Sequence, residues 1–371
     1  MNTSSHIIFL RRCLALAENG RGLTGINPMV GAVLVRDGMI IAEGFHEGFG
    51  NAHAERQLLE KSDQKISAND ILYVNLEPCC HTDKKTPPCA QFIVEKGIKI
   101  VVYGLIDPNP NVAGRGIQFL QSHGVEVIGP VLPEECARLN RGFVSVMRNG
   151  RPWITLKSAM TVDGRFANAS GSPRLMITSE EQDRWSHLFL RARHDAILVG
   201  IGTVLADDPE LTVRPHPLLR QGFGGQAPAP FSDGGRGEPY RIILDPHFRI
   251  PLTARVVNGE LAEGTIVVRK EPEDSEEPEE PEEKMRILEK RGVRILTIPL
   301  NRDHKILNNG SGYLPAEHSV TFDWQSFWQA LTTPSGDFHG ISSILVEGGS
   351  RTWGAFREAK TVDEEVILVG G

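Results

Sequence analysis

Short apolar runs of strand length alternate with segments of helix length along most of this chain, and this alternation limits the possible folds more than any other feature. The run Val30–Val35 is followed by an Asp37-Gly38 turn, a second apolar run and a segment with helical spacing near residues 53–61. Strands that alternate with helices pack as layers around a sheet. The pattern therefore predicts an α/β fold.

The chain is long enough, at 371 residues, for two domains with separate cores. A predicted helix near residues 137–152 ends in Arg148-Asn149-Gly150-Arg151-Pro152, which has the Gly and Pro of a helix stop or linker. A second series of apolar runs begins at Trp153. We therefore expect one α/β domain over residues 1–148 and another over residues 149–371.

Two insertions interrupt the second domain. Residues 220–239 are rich in Gly and Pro, and residues 271–283 are almost wholly Pro, Glu and Asp. Both compositions are typical of solvated or disordered loops.

The charge and hydropathy pattern excludes several classes of protein. The net charge of −7 is due to residues 271–283, which carry nine acids, and the other residues hold 40 basic and 38 acidic side chains. The chain thus lacks the basic excess of a general nucleic-acid binder. It also lacks an apolar stretch of about 20 residues and the start of an export signal. We expect a cytoplasmic protein with no nucleic-acid or membrane partner.

Three short motifs bring together one imidazole, two thiols and a carboxylate. They are His53-Ala54-Glu55, Glu77-Pro78-Cys79-Cys80-His81 and Pro87-Pro88-Cys89. Zn²⁺ held by His53, Cys79 and Cys89 would keep a fourth position open for water, as in zinc deaminases. Glu55 could then carry a proton from water to a leaving amine. The motifs therefore predict a catalytic zinc site.

Two alternatives remain open from the residues alone. A closed zinc knuckle would use Cys79, Cys80 and Cys89 with His53 or His81, but adjacent cysteines cannot easily face one tetrahedral centre. A knuckle also gives Glu55 no role. A deaminase acting on RNA or free cytidine would need a basic, aromatic-rich surface, and aromatic residues make up only 6% of this chain.

A longer set of motifs resembles the deaminase half of the RibD family of bifunctional riboflavin biosynthesis proteins, over residues 6–148. Besides the zinc motifs, the set includes Thr24-Gly25-Ile26-Asn27-Pro28-Met29-Val30-Gly31, Gly44-Phe45-His46, Thr86-Pro87-Pro88-Cys89, Asp107-Pro108-Asn109-Pro110 and Gly114-Arg115-Gly116. The resemblance implies a cytidine-deaminase-like three-layer domain in which His53, Cys79 and Cys89 bind zinc and Glu55 is the proton donor.

The same resemblance implies residues that hold a phosphoribosylated pyrimidine, namely Asn27, His46, His81, Lys85, Asp107 and Asn109. The loop that begins at His81 is one residue longer than the commonest version in the family. Lys84 and Lys85 are therefore both candidates for a phosphate contact.

The second half has two apolar strands that run into glycine turns, at Gly200 and at Gly348-Gly349. Such turns before a helix can bind phosphate through backbone amides. The segments Lys157–Arg165, Ile177–Ser179, Leu190–Arg193, Thr203–Arg214 and Val346–Gly349 resemble the reductase half of the same family. The resemblance implies a dihydrofolate-reductase-like fold and NADPH as the cofactor, with hydride transfer to C1 of a ring-opened ribose.

Matching positions imply two sets of binding residues in this half. The NADPH set is Thr203, Asp207, Gly349, Ser350, Arg351, Thr352, Trp353, Gly354 and Ala355. The substrate set is Lys157, Asp163, Arg191, Leu211, Arg214 and Glu347. From the residues alone, Arg191 and Arg214 are as consistent with structural ion pairs as with a substrate phosphate.

The family usually continues beyond the segment seen here as Val362-Asp363-Glu364. We therefore expect a reductase domain that is shortened at its C-terminus and has an exposed sheet edge. This leaves open a deaminase with an inactive reductase domain. We expect a homo-oligomer that acts on small molecules.

Overall fold

A computed structural model of the chain describes residues 3–61, 65–80, 88–163, 177–214, 238–272, 279–300 and 322–370. The described residues form two units. The first holds residues 3–151 and 334–342, and the second holds the remainder.

The first unit contains a five-stranded sheet with the strand order β2-β1-β3-β4-β5. Its strands are β1 (Gly31–Arg36), β2 (Met39–Phe45), β3 (Ile71–Val74), β4 (Ile100–Tyr103) and β5 (Glu126–Ile128). β1 is antiparallel to β2 and β3, whereas β3, β4 and β5 are parallel. Its helices are α1 (Thr3–Ala17), α2 (Ala54–Lys61), α3 (Cys89–Glu95), α4 (Arg115–Ser122), α5 (Pro133–Leu139) and α6 (Arg141–Asn149).

Both faces of this sheet are covered, because successive side chains of a strand point to opposite faces. Leu34 of β1 lies on the face that packs against Leu58 of α2 and Ile93 of α3. Val33 points to the other face, where Leu10 of α1 covers it. The unit is therefore a layered helix–sheet–helix structure.

The start of β1 and the ends of β2, β3 and β4 lie side by side along one edge of the sheet, the edge that runs across the strand ends. Because β1 is antiparallel to its neighbours, its first residue, Gly31, pairs with Phe45 at the end of β2, and Ala32 pairs with Val74 at the end of β3. β4 ends beside β3, at Tyr103. The loops that precede β1 and follow β2, β3 and β4 therefore meet at this edge.

The second unit contains a seven-stranded sheet with the order β10-β9-β8-β7-β11-β6-β12, and all its strand pairs are parallel. Its strands are β6 (Trp153–Thr161), β7 (Ala196–Gly200), β8 (Tyr240–Leu244), β9 (Thr265–Lys270), β10 (Arg294–Ile298), β11 (Ser343–Val346) and β12 (Glu364–Gly370). Its helices are α7 (Glu180–Phe189), α8 (Ile201–Asp207), α9 (Glu279–Lys290), α10 (Trp324–Thr332) and α11 (Ser350–Glu358).

Fully buried strand residues form the core of this unit. Ile197, Ile243 and Val267 come from three neighbouring strands, and Leu288 of α9 packs in the same cluster. Since parallel strands end at the same edge of a sheet, the residues that follow β7, β11 and β6 are brought together. Binding sites of open parallel sheets lie at this carboxyl edge.

The acidic insertion differs in part from its prediction as a loop. Helix α9 begins at Glu279, so the last residues of the acidic run lie in a helix. Glu, Lys, Met, Arg and Leu have high helix propensities, and they make up most of the segment through residue 290. Residues 273–278, and residues 220–237 of the Gly- and Pro-rich insertion, lie outside the described residues.

The C-terminal region has two further features. β12 has only one neighbouring strand among the described residues, and its Ile367 and Val369 are each 46% exposed. No helix in the described part of the chain is long and apolar enough to cross a membrane.

Candidate active sites

An imidazole and two thiols converge where α2 and α3 begin. His53 directly precedes α2, Cys89 is the first residue of α3, and Cys79 lies between β3 and α3. The His53 Nδ1 atom lies 3.5 Å from the Cys79 Sγ and 3.3 Å from the Cys89 Sγ. The three ligand atoms all lie within 4.8 Å of one another.

These three side chains fit a zinc ion. In a tetrahedral site with Zn–S of about 2.3 Å and Zn–N of about 2.0 Å, neighbouring nitrogen and sulfur ligands are about 3.5 Å apart. The two observed N–S distances match this value. A set of three protein ligands leaves a fourth position for solvent or substrate, which is typical of catalytic rather than structural zinc.

The two thiols differ in acidity. The hydrogen bond from Cys89, with a further contribution from His53, lowers the pKa of the Cys79 thiol in spite of its burial. The same Cys89–Cys79 hydrogen bond, together with burial, raises the pKa of the Cys89 thiol. A divalent cation that bound both sulfurs would therefore displace a proton from Cys89.

Glu55 lies in the first turn of α2 with its side chain buried beside the same cluster. Burial raises the pKa of this carboxyl group, and a hydrogen bond joins it to the Cys89 thiol. A buried carboxyl with a raised pKa can take up and return a proton near neutral pH. The structure thus brings Glu55 together with the three candidate ligands.

Cys80 takes no part in this cluster. Its side chain packs against the hydrophobic core of the first unit, and burial raises the pKa of its thiol. A knuckle that uses both adjacent cysteines is therefore not formed by the described residues. His81, Lys84 and Lys85 lie outside the described residues.

Two of the predicted substrate residues, Asn27 and His46, lie at the same edge of the sheet as the metal cluster. Asn27 precedes β1, and His46 follows β2, where its backbone N–H donates to the Val30 carbonyl at 2.8 Å. The His46 ring lies edge-on to the His53 ring, with 5.7 Å between their centroids. The short distance places His46 next to the metal cluster.

The loop that carries Asn27 is anchored by two side-chain amides. Asn140, between α5 and α6, accepts from the Met29 N–H at 2.8 Å and donates to the Met29 carbonyl at 3.0 Å. Asn75 donates to the same carbonyl at 3.1 Å and accepts from the Gly31 N–H at 2.8 Å. Both amides are buried, so they hold the approach to β1 in one position.

Asp107 and Asn109 lie in the loop after β4, and Glu77 holds that loop. The buried Glu77 carboxylate accepts from the backbone N–H groups of Asp107, Gly114 and Gly116 at 2.9 to 3.1 Å. The Asp107 side chain in turn accepts from the Asn109 N–H at 2.8 Å. Sequence reasoning gave Glu77 no role, although its place two residues before Cys79 was a possible signal.

In the second unit, the predicted substrate residues Arg191 and Glu347 form a buried ion pair. The Arg191 Nε and Nη2 atoms donate to the two Glu347 carboxylate oxygens at 3.0 and 2.5 Å. Burial alone would raise the pKa of Glu347, but Arg191, with help from Lys157, lowers it to about 2. The guanidinium plane is thus committed to Glu347, as the ion-pair interpretation of Arg191 predicts.

A face of α7 holds the segment that contains Leu211 and Arg214. His187 accepts from the Arg214 N–H at 3.0 Å, and Asp183, one turn earlier, accepts from its guanidinium at 3.0 Å. Arg191 donates to the Thr212 carbonyl at 2.8 Å. Leu211 is buried with φ of 53°, a left-handed conformation that costs an L-residue about 1 kcal/mol and that surrounding contacts must sustain.

His187 was not singled out from the sequence. It lies four residues after Asp183 and four before Arg191, so helical spacing with two charged residues was an available signal. Burial, followed by the charge of Arg191, lowers the pKa of His187 to about 4. The imidazole is therefore neutral near pH 7.

The two glycine turns of this unit lie together at the carboxyl edge of the sheet. A Cβ on Gly200 would lie 2.7 Å from the Thr352 Oγ1, and one on Gly348 would lie 2.7 Å from the Thr352 Cβ. The absence of side chains thus allows the start of α11 to pack against the end of β7. A Cβ on Gly349, the N-cap of α11, would meet no described atom within 4 Å.

This open helix start fits a dinucleotide phosphate, which backbone amides at a helix N-terminus can bind. The predicted NADPH residues fall on the two helices that follow β7 and β11. Thr203 and Asp207 lie on α8, and the 349–355 segment forms the first turns of α11. Asp163 lies just beyond β6 and hydrogen bonds to Thr161, while Lys157 lies within β6.

Two family models match the chain. The cytidine and deoxycytidylate deaminase zinc-binding region matches residues 3–105, and the RibD C-terminal domain matches residues 152–299. The predicted order of a cytidine-deaminase-like domain and a reductase domain is thereby confirmed.

Curated relatives cover nearly the whole chain. The riboflavin biosynthesis protein RibD of Aquifex aeolicus is 40% identical over 97% of this chain and 85% of the relative. That of Escherichia coli is 36% identical over 97% of this chain and 86% of the relative.

Solved structures agree with these relatives. Acinetobacter baumannii RibD has a TM-score of 0.74 at 30% identity, over 99% of this chain and 87% of the other. A diaminohydroxyphosphoribosylaminopyrimidine deaminase/5-amino-6-(5-phosphoribosylamino)uracil reductase from Thermotoga maritima has a TM-score of 0.70 at 33% identity, with the same coverage. The chain therefore belongs to the RibD family and is an enzyme of riboflavin biosynthesis with a zinc-dependent deaminase and an NADPH-dependent reductase activity.

Proposed function

We propose that the first unit deaminates 2,5-diamino-6-(5-phosphoribosylamino)pyrimidin-4(3H)-one and that the second reduces the resulting 5-amino-6-(5-phosphoribosylamino)uracil. The observation that carries the first step is the cluster of His53, Cys79 and Cys89 with Glu55 buried beside it. The name of the Thermotoga maritima relative supports both substrates. We propose residues 1–148 and 149–371 as the two catalytic domains, apart from residues 334–342, which pack with the first unit.

Glu55 moves the protons of the deamination. A zinc ion bound by His53, Cys79 and Cys89 supplies a Lewis acid that lowers the pKa of water. Glu55 takes one proton from the attacking water, whose oxygen forms a bond with the ring carbon, and returns it to the amino group. The carbon–nitrogen bond then breaks and ammonia leaves. Asn27, His46, Asp107 and Asn109, with His81 and Lys85, orient the pyrimidine and its phosphate.

The charged residues of the second unit orient its substrate and cofactor. When bound, NADPH would supply the hydride that reduces C1 of the ring-opened ribose, and solvent would supply the proton that completes the ribityl chain. The turns at Gly200 and Gly349, with Thr203, would hold the cofactor phosphates, and the Asp207 carboxylate would accept hydrogen bonds from cofactor hydroxyl groups. Glu347 stays ionised because Arg191 lowers its pKa to about 2, so it accepts hydrogen bonds from substrate hydroxyls. The exposed Arg214 guanidinium lies at the end of the Leu211 segment, where it can bind the substrate phosphate.

We also propose that the enzyme works in the cytoplasm on free small molecules, without nucleic acid or membrane. All five cysteines are free thiols, as expected in a reducing compartment. The expected homo-oligomer stays a prediction.

The test of the deaminase assignment is Glu55→Gln. The amide keeps the shape of the side chain but cannot accept the proton, so ammonia release falls by about 100- to 10,000-fold. Zinc content, measured by elemental analysis, remains one ion per chain. NADPH oxidation with the deaminated substrate remains at the wild-type rate.

The matched control is Glu60→Gln, on the exposed end of the same helix, which keeps full ammonia release. Full ammonia release in Glu55→Gln would reject the role of Glu55. Wild-type protein that releases ammonia but never oxidises NADPH would instead support a deaminase with an inactive reductase domain.

A further inference from the structure

The first unit includes a short segment from the distant second half of the sequence. Residues 334–342 separate α10 from β11 in the chain, yet their contacts assign them to the first unit. They form a tight turn in which Ser335 and Phe338 exchange both backbone hydrogen bonds, at 2.9 and 3.0 Å. Phe338 and Ile341 are buried, so the turn is fixed in place.

His339 in this segment contacts the loop that carries Asn27. Its backbone carbonyl accepts from the Ile26 N–H at 3.1 Å. The approach is so close that a Cβ on Gly25 would lie 2.4 Å from the His339 carbonyl oxygen, and Gly25 has φ of 57°. Only glycine fits this position without displacing one of the two chains.

The His339 side chain contacts a second loop of the same site. Its ring stacks on the Phe49 ring with 4.6 Å between centroids and 12° between planes. Phe49 lies four residues before His53, and its backbone N–H donates to the Leu23 carbonyl at 2.9 Å. His339 therefore joins the loop before β1 to the loop between β2 and α2.

Asn27 thus lies between two anchors. On one side, Met29 is held by Asn75 and Asn140, and on the other side Ile26 is held by His339. The residues that hold Met29 belong to the first 151 residues of the chain. The residue that holds Ile26 belongs to the segment 334–342. Loss of the His339 ring would remove its stacking on Phe49, so the His339 carbonyl that holds Ile26 would be less firmly fixed, while the zinc ligands would stay in place.

We propose that His339 is a positioning residue of the deaminase, which holds the Asn27 loop against the Phe49 loop and so fixes the substrate-binding edge. The segment 334–342 makes the deaminase site depend on residues that follow α10 in the chain. This inference rests on the proposed function, since it takes Asn27 as a substrate contact.

The test measures ammonia release in full-length variants. In His339→Ala the ring stacking is lost, and the KM for the pyrimidine substrate rises by about three- to tenfold, the equivalent of one aromatic pair. The kcat, the zinc content and the NADPH oxidation rate with deaminated substrate stay at wild-type values. His339→Phe keeps a ring over Phe49 and restores the KM.

Two further variants sharpen the test. Gly25→Ala forces the His339 carbonyl away from the loop and raises the KM in the same way. Asp337→Ala, an exposed position in the same turn, leaves the KM unchanged.

An unchanged KM in both His339→Ala and Gly25→Ala would overturn the inference. So would a loss of zinc, or an equal loss of both activities, in His339→Ala, because either would show a general structural role. Failure of the wild-type protein to release ammonia would refute the proposed function. Wild-type ammonia release with an unchanged KM in the variants would refute only the role of His339.

Discussion

Glu77 shows how one buried carboxylate can organise residues that are far apart in sequence. Its two oxygens accept four backbone N–H groups, of Asp107, Gly114, Gly116 and Ile117. The charge also lies at the start of α4, where the helix dipole favours an anion. Glu77 thereby ties the loop of the predicted substrate residue Asp107 to the end of β3.

The substitution Glu77→Gln tests this arrangement. The side-chain amide presents an NH₂ group to backbone donors, so at least two hydrogen bonds are lost and the free energy of unfolding falls by about 2 to 4 kcal/mol. The KM for the pyrimidine substrate in the ammonia-release assay rises, because the loop that carries Asp107 is less firmly held. Urea unfolding and steady-state kinetics measure the two effects, with the exposed Glu126→Gln as the control. Wild-type stability in Glu77→Gln would contradict the prediction.

The zinc ligands could be predicted because they lie in short motifs, which can be recognised in a single sequence. The structure brings these ligands together. His53 and Glu55 are two residues apart, and the two cysteines follow within one strand and one helix start. The partners of Glu77 lie 30 to 40 residues away and are backbone amides, which carry no residue identity. Sequence reasoning therefore had no means of finding them.

At the scale of elements, α7 acts as a support for the segment after α8. Asp183 and His187 of the helix, and Arg191 just beyond it, are spaced by four residues and contact the 212–214 segment. The helix begins with a capping box in which Ser179 and Gln182 bond reciprocally. The cap fixes the first turn of the helix, which includes Asp183.

His187 makes this support sensitive to acid. The unfolded chain binds a proton at His187 as the pH falls through about 6.5, whereas the folded chain does so only near pH 4. The free energy of unfolding is therefore not reduced by His187 well above pH 6.5. It decreases as the pH falls from 6.5 towards 4, by roughly 2 to 3 kcal/mol. Urea unfolding between pH 4 and 7 measures this slope.

In His187→Asn the contribution of His187 to the slope disappears, while an acceptor for the Arg214 N–H is retained. Replacement of the exposed Gln121 by Asn, a change that removes no titratable group, leaves the slope unchanged. An equal slope in the wild type and in His187→Asn would show that the imidazole is not held neutral.

Local sequence patterns predicted some elements better than others. Fully buried runs such as Ile71–Val74 were recognised as strands because they are continuously apolar. β12 was not recognised, since only alternate residues are shielded and the strand begins with two glutamates. The single helix predicted near residues 137–152 is two helices, α5 and α6, which are separated at Asn140. Asn140 bonds to Met29, a contact that no local pattern reveals.

At the scale of the whole molecule, the two activities use separate groups of side chains. The deaminase cluster lies in the first unit, and the ion pair of Arg191 and Glu347 lies in the second. Each activity can therefore be removed by a substitution that leaves the other intact.

Glu347→Gln tests this independence as the counterpart of Glu55→Gln. The neutral amide cannot balance the buried Arg191 charge, so NADPH oxidation falls by about 100-fold or more, as expected on loss of a charged partner. Ammonia release stays at the wild-type rate. A coupled assay of ammonia and of NADPH consumption measures both effects in one sample. A parallel loss of ammonia release would contradict the independence of the two activities.

The position of His339 in the chain has a consequence for synthesis on the ribosome. The sheet of the first unit is complete by residue 128, but its last segment, residues 334–342, is translated only after most of the second half. At translation rates of about 5 to 20 residues per second, the delay is roughly 10 to 40 seconds. During that interval a nascent chain has all its candidate metal ligands, while the Ile26 amide still lacks its native acceptor.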